Sequence, residues 1–226
     1  MTTADAEVLA TAVRPVDGVA AVGDDTAATL DSAYGVSLRS ALERAGAKGK
    51  PGEVTEVPVP AGSAAVTRLL LVGIGDGSPL ALRRAGAALA RAAKTAHLAT
   101  DTANGADADG LRAHVEGLLL ATYRFTRKSR APDGPVLTRV DIHAATNRAN
   151  EAAVEGAERT AAATHLARDL ANTPSNEKDP AWLAAQASRL ARRSGLDVHV
   201  RDEKALAAEG WGGVWAWGRA RAGRPG

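Results

Sequence analysis

The chain has 226 residues, enough for one large or two small domains, and its apolar content of 45% argues against a wholly disordered protein. Its 28 basic and 26 acidic residues nearly balance, so the formal charge of +2 argues against nucleic acid or an anionic membrane as a partner. The sequence contains no cysteine, which excludes disulfides, thiolate metal sites and cysteine nucleophiles.

Nothing in the sequence points to secretion or to a membrane. The N-terminus lacks the positive start and apolar core of a signal peptide. No apolar run approaches the roughly 18 residues that a membrane helix needs. We therefore expect a cytoplasmic protein with no membrane partner.

Predicted strands and helices alternate along the first 170 residues, which is typical of an α/β fold. Short apolar runs lie at 8–13 and 19–22. Residues 66–72 predict a buried central strand because Leu69 to Val72 are apolar on both faces. Residues 53–59 predict an edge strand because Pro58 lies in this segment and Pro60 follows it. The other predicted strands are 97–102 and 136–143, and the predicted helices are 38–44, 80–96, 111–122 and 149–171.

A glycine-rich turn, Gly73 to Pro79, connects the predicted central strand to the next helix. A dinucleotide fingerprint requires glycine where Ser78 stands, and the acidic residue expected about 20 positions later is Asp101. Two interpretations stay open, a phosphate-binding loop and a tight turn without a ligand. The serine favours the tight turn.

The segment Tyr123 to Arg130 combines four cations with two aromatic residues. Such a segment can stack bases and pair phosphates, as sites for single-stranded nucleic acid do. A solvated helix end with two inward-packed rings has the same composition, and we favour that interpretation.

No reaction can be assigned from residue spacing alone. The histidines include no pair at the i, i+4 spacing of a helical zinc site. No Gly-x-Ser-x-Gly elbow occurs, and Gly46 to Lys50 lacks the spacing of a Walker loop. Asp202 and Glu203 form a candidate carboxylate pair, although helix capping explains both. The five histidines are His97, His114, His143, His165 and His199.

A second section begins at Asn172-Thr173-Pro174, where proline ends the long helix. Asp179-Pro180 predicts the start of a new helix, and Gly195 predicts its end. The alternation of apolar and polar residues over 196–200 predicts a strand with one polar face, and Asp202 predicts the cap of a short helix.

The residues around the end of the long helix carry a resemblance to a known family. They are Ala167–Leu170, Asn172–Pro174, Asn176, Pro180, Leu183–Ala184, Val198, Asp202–Glu203, Leu206, Gly210 and Gly212–Gly213, preceded by Leu71–Gly75, Tyr123–Phe125 and Lys128–Ser129. In this pattern the chain resembles the leucyl (cytosol) aminopeptidase family of metallopeptidases. The resemblance implies cytoplasmic homohexamers that use two divalent metals, manganese or zinc, to remove N-terminal residues, often leucine, from peptides.

The same resemblance implies a domain plan. Residues 1–148 would form an N-terminal α/β domain similar to the macro fold, 149–172 a connecting helix, and 173–213 the truncated start of the catalytic α/β domain. The family's metal-binding lysine, aspartates and glutamate lie further along than Gly213, and the signature Asn-Thr-Asp-Ala-Glu-Gly-Arg does not occur in this sequence. We therefore predict that this chain contains no catalytic, metal-binding or cofactor-binding residue and has no peptidase activity by itself. Whether it forms the family's hexamer does not follow from the sequence.

The last stretch, 214–226, has an unusual composition. After Val214 every residue is Trp, Ala, Gly, Arg or Pro, the residues that GC-rich codons encode. We hypothesise an out-of-frame tail, with a divergent functional tail as the alternative. We also expect residues beyond about 172 to pack weakly, while the first 150 fold independently. The rival function is a freestanding binding or regulatory module for a nucleotide or nucleic acid.

Overall fold

The computed structural model describes residues 6–60, 65–126 and 136–211. The chain divides into two compact units, Met1–Ala171 and Asn172–Gly226. None of the described helices combines the length and the apolar character that a membrane crossing requires.

Helices and strands alternate through the first unit, and the described part of the second unit contains helices but no strand. The strands are β1 (Val8–Val16), β2 (Val19–Ala21), β3 (Val54–Pro58), β4 (Arg68–Gly73), β5 (His97–Thr100) and β6 (Arg139–Ile142). The helices are α1 (Asp24–Tyr34), α2 (Leu38–Ala45), α3 (Pro79–Ala93), α4 (Ala108–Ala121), α5 (Arg148–Asn172), α6 (Pro180–Ser194) and α7 (Glu203–Ala208).

One mixed sheet lies at the centre of the first unit, with strands in the order β3-β4-β1-β5-β6. The strands β4, β1, β5 and β6 run parallel, and β3 pairs antiparallel with β4. The predicted central strand therefore lies between two neighbours and the predicted edge strand lies at an edge. The α/β class that the sequence predicts is confirmed.

The sheet has an apolar core on each face, because successive residues of a strand point to opposite faces. Leu69 and Leu71 of β4 belong to the core that α2 covers. Leu70 and Val72 belong to the core that α3 covers. All four side chains are at most 1% exposed, so β4 is buried on both faces.

The helices α3 and α4 pack with their backbones in close contact at two glycines. A Cβ atom on Gly86 would overlap the carbonyl oxygen of His114, and one on Gly117 would overlap the carbonyl oxygen of Arg83. Only glycine permits so close a backbone approach without a shift of one helix. This contact fixes how the side chains of the two helices stand relative to each other.

A hairpin that the two apolar runs alone did not predict joins β1 to β2, with Val16 opposite Val19. Asp17 and Gly18 form the turn, with φ angles of 50° and 79°. Two positive φ angles are what a type I′ turn requires, and the Asp-Gly dipeptide is its sequence signal.

The long helix α5 buries only small side chains, Ala153, Gly156, Ala157 and Ala161. Ala157 shares a third apolar core with Leu111 of α4. The observed helix matches the predicted range of 149–171 to within one residue at each end.

Aspartate caps begin both helices of the second unit, as the sequence predicts. An oxygen of Asp179 accepts a hydrogen bond from the amide of Trp182 at 2.6 Å. An oxygen of Asp202 accepts one from the amide of Ala205 at 2.8 Å. The helix-capping interpretation of Asp202 is therefore confirmed, and Glu203 lies in the first turn of α7.

The predicted strand over 196–200 is wrong, because these residues have no regular secondary structure. A strand forms only when a neighbour supplies hydrogen-bonding partners, and no described residue of this unit belongs to a strand. The apolar side chains of the segment are therefore uncovered. Leu196, Val198 and Val200 are 64%, 42% and 59% exposed.

Candidate functional site

The glycine turn lies at the carboxyl edge of the parallel strands, where α/β proteins commonly bind ligands. Ser78 is the N-cap of α3, and its hydroxyl accepts a hydrogen bond from the amide of Ala81 at 3.4 Å. Asp76 Oδ1 accepts one from the Ser78 amide at 3.0 Å, and this bond lowers the pKa of the Asp76 carboxyl. Since these two amides have partners and a carboxylate stands beside them, the geometry supports the tight-turn interpretation.

Asp101 follows β5 at the same edge and lines a cavity of about 860 Å³ together with Arg14 and Asn104. Its Oδ1 atom is buried without a hydrogen-bond partner. Burial raises the pKa of this carboxyl against the smaller opposing effect of the Thr11 hydroxyl. Ser78 lines a separate cavity of about 340 Å³. The turn and Asp101 therefore share one edge of the sheet but do not line the same cavity.

Tyr123 lies in a cluster with residues of α5 rather than on a free surface. Its hydroxyl donates a hydrogen bond to Asp169 Oδ1 at 2.9 Å. The ring of His165 lies 5.2 Å from the tyrosine ring, and the guanidinium of Arg168 lies 5.2 Å from the ring centroid. A ring with these partners is not a platform on which bases can stack, so this tyrosine is packed as predicted.

The rest of the predicted aromatic and basic segment behaves differently. We expected the ring of Phe125 to pack inward, but Phe125 is 38% exposed, so this part of the prediction is wrong. Residues 127–130, which carry three of the four cations, lie outside the described residues.

His114 is completely buried between α3 and α4. Burial lowers its pKa to about 4, so the ring is neutral at neutral pH. Its Nδ1 atom lies 3.3 Å from the carbonyl oxygen of Leu82, and a neutral ring that donates there carries its proton on Nδ1. The Nε2 atom has no hydrogen-bond partner.

Another histidine, His97, forms part of a charged cluster across β5 and β6. Its Nε2 atom lies 2.8 Å from Asp141 Oδ2, and Arg139 donates to the same carboxylate at 2.9 Å. These bonds, first from Arg139 and then from His97, lower the pKa of the Asp141 carboxyl. One carboxylate with a guanidinium attached is a poor cation site.

No group of three or more His, Cys, Asp or Glu side chains within residues 6–60, 65–126 and 136–211 could hold a metal ion. The described residues therefore do not fit a centre of two divalent metals, which requires several oxygen or nitrogen ligands converging on one point.

Two family models match the chain in tandem. Residues 19–131 match the N-terminal domain of the cytosol aminopeptidase family. Residues 165–225 match the catalytic domain of the same family. The second match extends into the segment 214–226, for which we predicted an out-of-frame tail.

Curated relatives agree with both models. A probable cytosol aminopeptidase of Streptomyces coelicolor is 37% identical over 88% of this chain and 43% of its own length. One of Streptomyces avermitilis is 36% identical over 98% of this chain and 47% of its own length. The chain thus spans less than half the length of these relatives.

Solved structures share the fold. The bottromycin maturation enzyme BotP is 30% identical, with a TM-score of 0.63 over 85% of this chain and 38% of that one. A mutant of tomato leucine aminopeptidase is 25% identical, with a TM-score of 0.66 over 84% of this chain and 40% of that one. BotP has also been solved in complex with Mn, and that structure is 31% identical over 85% of this chain and 37% of its own, with a TM-score of 0.62.

Proposed function

Because the chain belongs to the cytosol aminopeptidase family, we propose that it contributes the N-terminal domain and the first part of the catalytic domain of an enzyme that removes N-terminal residues from peptides. The observation that carries this proposal is the tandem match, N-terminal domain first and catalytic domain second. The proposed plan keeps 1–148 as the N-terminal domain, 149–172 as the connecting helix and 173–213 as the start of the catalytic domain. We also propose that the protein is located in the cytoplasm.

Metal chemistry is the part of the proposed reaction that these residues do not supply. Family enzymes use two divalent metals, manganese or zinc, to polarise the scissile carbonyl and to activate water. The described residues do not fit such a centre. We therefore propose that a protein made of these 226 residues does not hydrolyse peptides by itself.

The second unit supplies a surface for the remaining catalytic sheet. Leu183 and Leu190 of α6 are 54% and 44% exposed, and Leu196, Val198 and Val200 are exposed as well. Complete transfer of such a side chain from water into a core is worth about 1.5–3 kcal/mol, and these half-exposed side chains would gain roughly half of that. The alternating segment 196–200 also has the residue pattern of a strand and needs only a neighbouring strand to become one.

Fragment complementation tests the proposal. The chain alone, with manganese or zinc, should release no leucine from a leucyl peptide, and a full-length relative serves as the positive control. Activity should return when the chain is mixed or co-expressed with the remaining catalytic segment of a Streptomyces relative. Metal-dependent leucine release by the chain alone would refute its inactivity, and failure of complementation would refute the proposed role of the exposed surface.

The out-of-frame tail is a separate proposal. Its support is the composition after Val214, which contains only five residue types. The nucleotide sequence across the Val214 codon tests it, because an aminopeptidase signature must then continue in another frame.

Light scattering of the purified chain tests whether the family's hexamer forms.

A further inference from the structure

A cleft of about 480 Å³ on the first unit is lined by four arginines and by no carboxylate. Glu116, which lies outside the lining, pairs with one of the four, Arg83, and no carboxylate of the lining offsets the charge of the other three. The floor of the cleft consists of small or apolar side chains. The four arginines are Arg83, Arg84, Arg91 and Arg168.

Two of the four arginines are held in place by the protein. Arg83 pairs with Glu116, whose other oxygen accepts from Arg112 at 3.1 Å. Arg168 donates to the carbonyl oxygen of Leu120 at 3.1 Å and lies over the ring of Tyr123. Guanidinium groups that are already positioned lose little conformational entropy when they bind a ligand.

The other two arginines are free to meet a ligand. Arg84 and Arg91 are exposed, and neither forms an ion pair with a carboxylate of the described residues. They stand seven residues apart on α3, so they share one face of the helix and are about 10 Å apart along its axis.

Positive charge continues beyond this cleft. Arg91 also lines an adjacent cavity of about 770 Å³ together with Lys94 and Arg124. The one carboxylate in the lining of that cavity, Asp169, accepts the hydroxyl hydrogen of Tyr123. The two cavities share Arg91 and Ala121 in their linings, so positive charge extends from one cavity to the other.

We propose that the four-arginine cleft binds a compact anion that carries several phosphoryl groups. The forked guanidinium group matches phosphate oxygens with two parallel hydrogen bonds. The cleft volume lies within the range of small-molecule sites. Because Arg84 and Arg91 are about 10 Å apart along the axis of α3, an anion with several linked phosphoryl groups matches their spacing better than a single phosphate.

The proposed ligand is a free oligophosphate. The backbone of a nucleic acid presents the same oxygens, and the test separates these two sources. The ring of Tyr123 already contacts His165 and Arg168, so the proposal assigns recognition to the phosphoryl groups and not to stacking on this tyrosine. The site is distinct from the glycine turn and is independent of the peptidase proposal.

Calorimetric titration of the full chain with tripolyphosphate tests the proposal. The double variant Arg84→Gln, Arg91→Gln should bind at least tenfold more weakly than the wild type, since each lost charge-assisted bond is worth about a factor of ten. The control variant Arg44→Gln, Arg148→Gln removes the same charge from exposed arginines of α2 and α5 and should bind like the wild type.

Competition with a short single-stranded oligonucleotide separates the two sources. Displacement of tripolyphosphate by the oligonucleotide assigns the cleft to backbone phosphates as well, and failure to displace it assigns the cleft to free oligophosphates. The proposal is overturned if tripolyphosphate does not bind, if the two double variants lose equal affinity, or if only the oligonucleotide binds.

Discussion

Replacing His114 with leucine should make the first unit less sensitive to acid. In the unfolded chain the imidazole titrates near pH 6.5, whereas burial lowers its pKa in the folded chain to about 4. Between these two values the unfolded state binds a proton that the folded state does not bind. The free energy of unfolding must therefore fall as the pH drops from 6.5 toward 4.

The size of the effect follows from the two pKa values. A difference of about 2.5 pH units, at 1.36 kcal/mol for each unit, costs the folded state on the order of 3 kcal/mol by pH 4. Leucine removes the titrating group together with the buried Nε2 atom that has no partner. It also removes the hydrogen bond to Leu82, whose net worth of about 1 kcal/mol does not depend on pH.

Urea unfolding at several pH values between about 4 and 7 measures this difference. Carboxylates titrate in both proteins and cancel when the variant is subtracted from the wild type. The matched control is His199→Leu, because His199 is exposed. If His114→Leu loses stability toward acid as steeply as the wild type, the burial argument is wrong.

Three further predictions concern other features of the structure, and thermal unfolding or limited proteolysis tests them. Gly117→Ala should lower the melting temperature, with a cost of about 1–3 kcal/mol in stability, because the new methyl group overlaps the Arg83 carbonyl. The control is Gly156→Ala, which should be neutral or stabilising because its Cβ atom would meet its neighbours at 3.5 Å or more. Asp101→Asn should raise the melting temperature at neutral pH and lose this gain in acid, because a carboxyl with a raised pKa costs stability only where it is ionised. Limited proteolysis should cut first after α5, near residues 173–179, and leave the first unit intact; a fragment of the first unit that is cut as fast as the rest would contradict this.

The parts of the fold that the sequence predicted depend on local pattern. Because every residue from Leu69 to Val72 is apolar, both faces of this strand must be buried. The central position of β4 could therefore be predicted from these four residues. The caps of α6 and α7 followed from Asp179 and Asp202, since each side chain bonds to an amide only three residues away.

The errors arise where structure depends on residues far away in the chain. The alternation over 196–200 predicted a strand, but alternation does not guarantee the partner that a strand requires. The packing of Tyr123 depends on residues 42 to 46 positions later, and the four-arginine cleft joins α3 to α5. The family was recognised from the residue identities at Asn172-Thr173-Pro174. This recognition does not depend on the apolar periodicity that predicts helices and strands.

The two edges of the sheet bear on how the protein behaves at high concentration. The strand β3 carries the exposed Glu56 and Pro58, and β6 carries the paired charges of Arg139 and Asp141. Charges and proline on an edge strand oppose the addition of a strand from another molecule. Self-association should therefore begin at the uncovered segment 196–200 of the second unit, and removing residues from 172 onward should leave a first unit that resists aggregation.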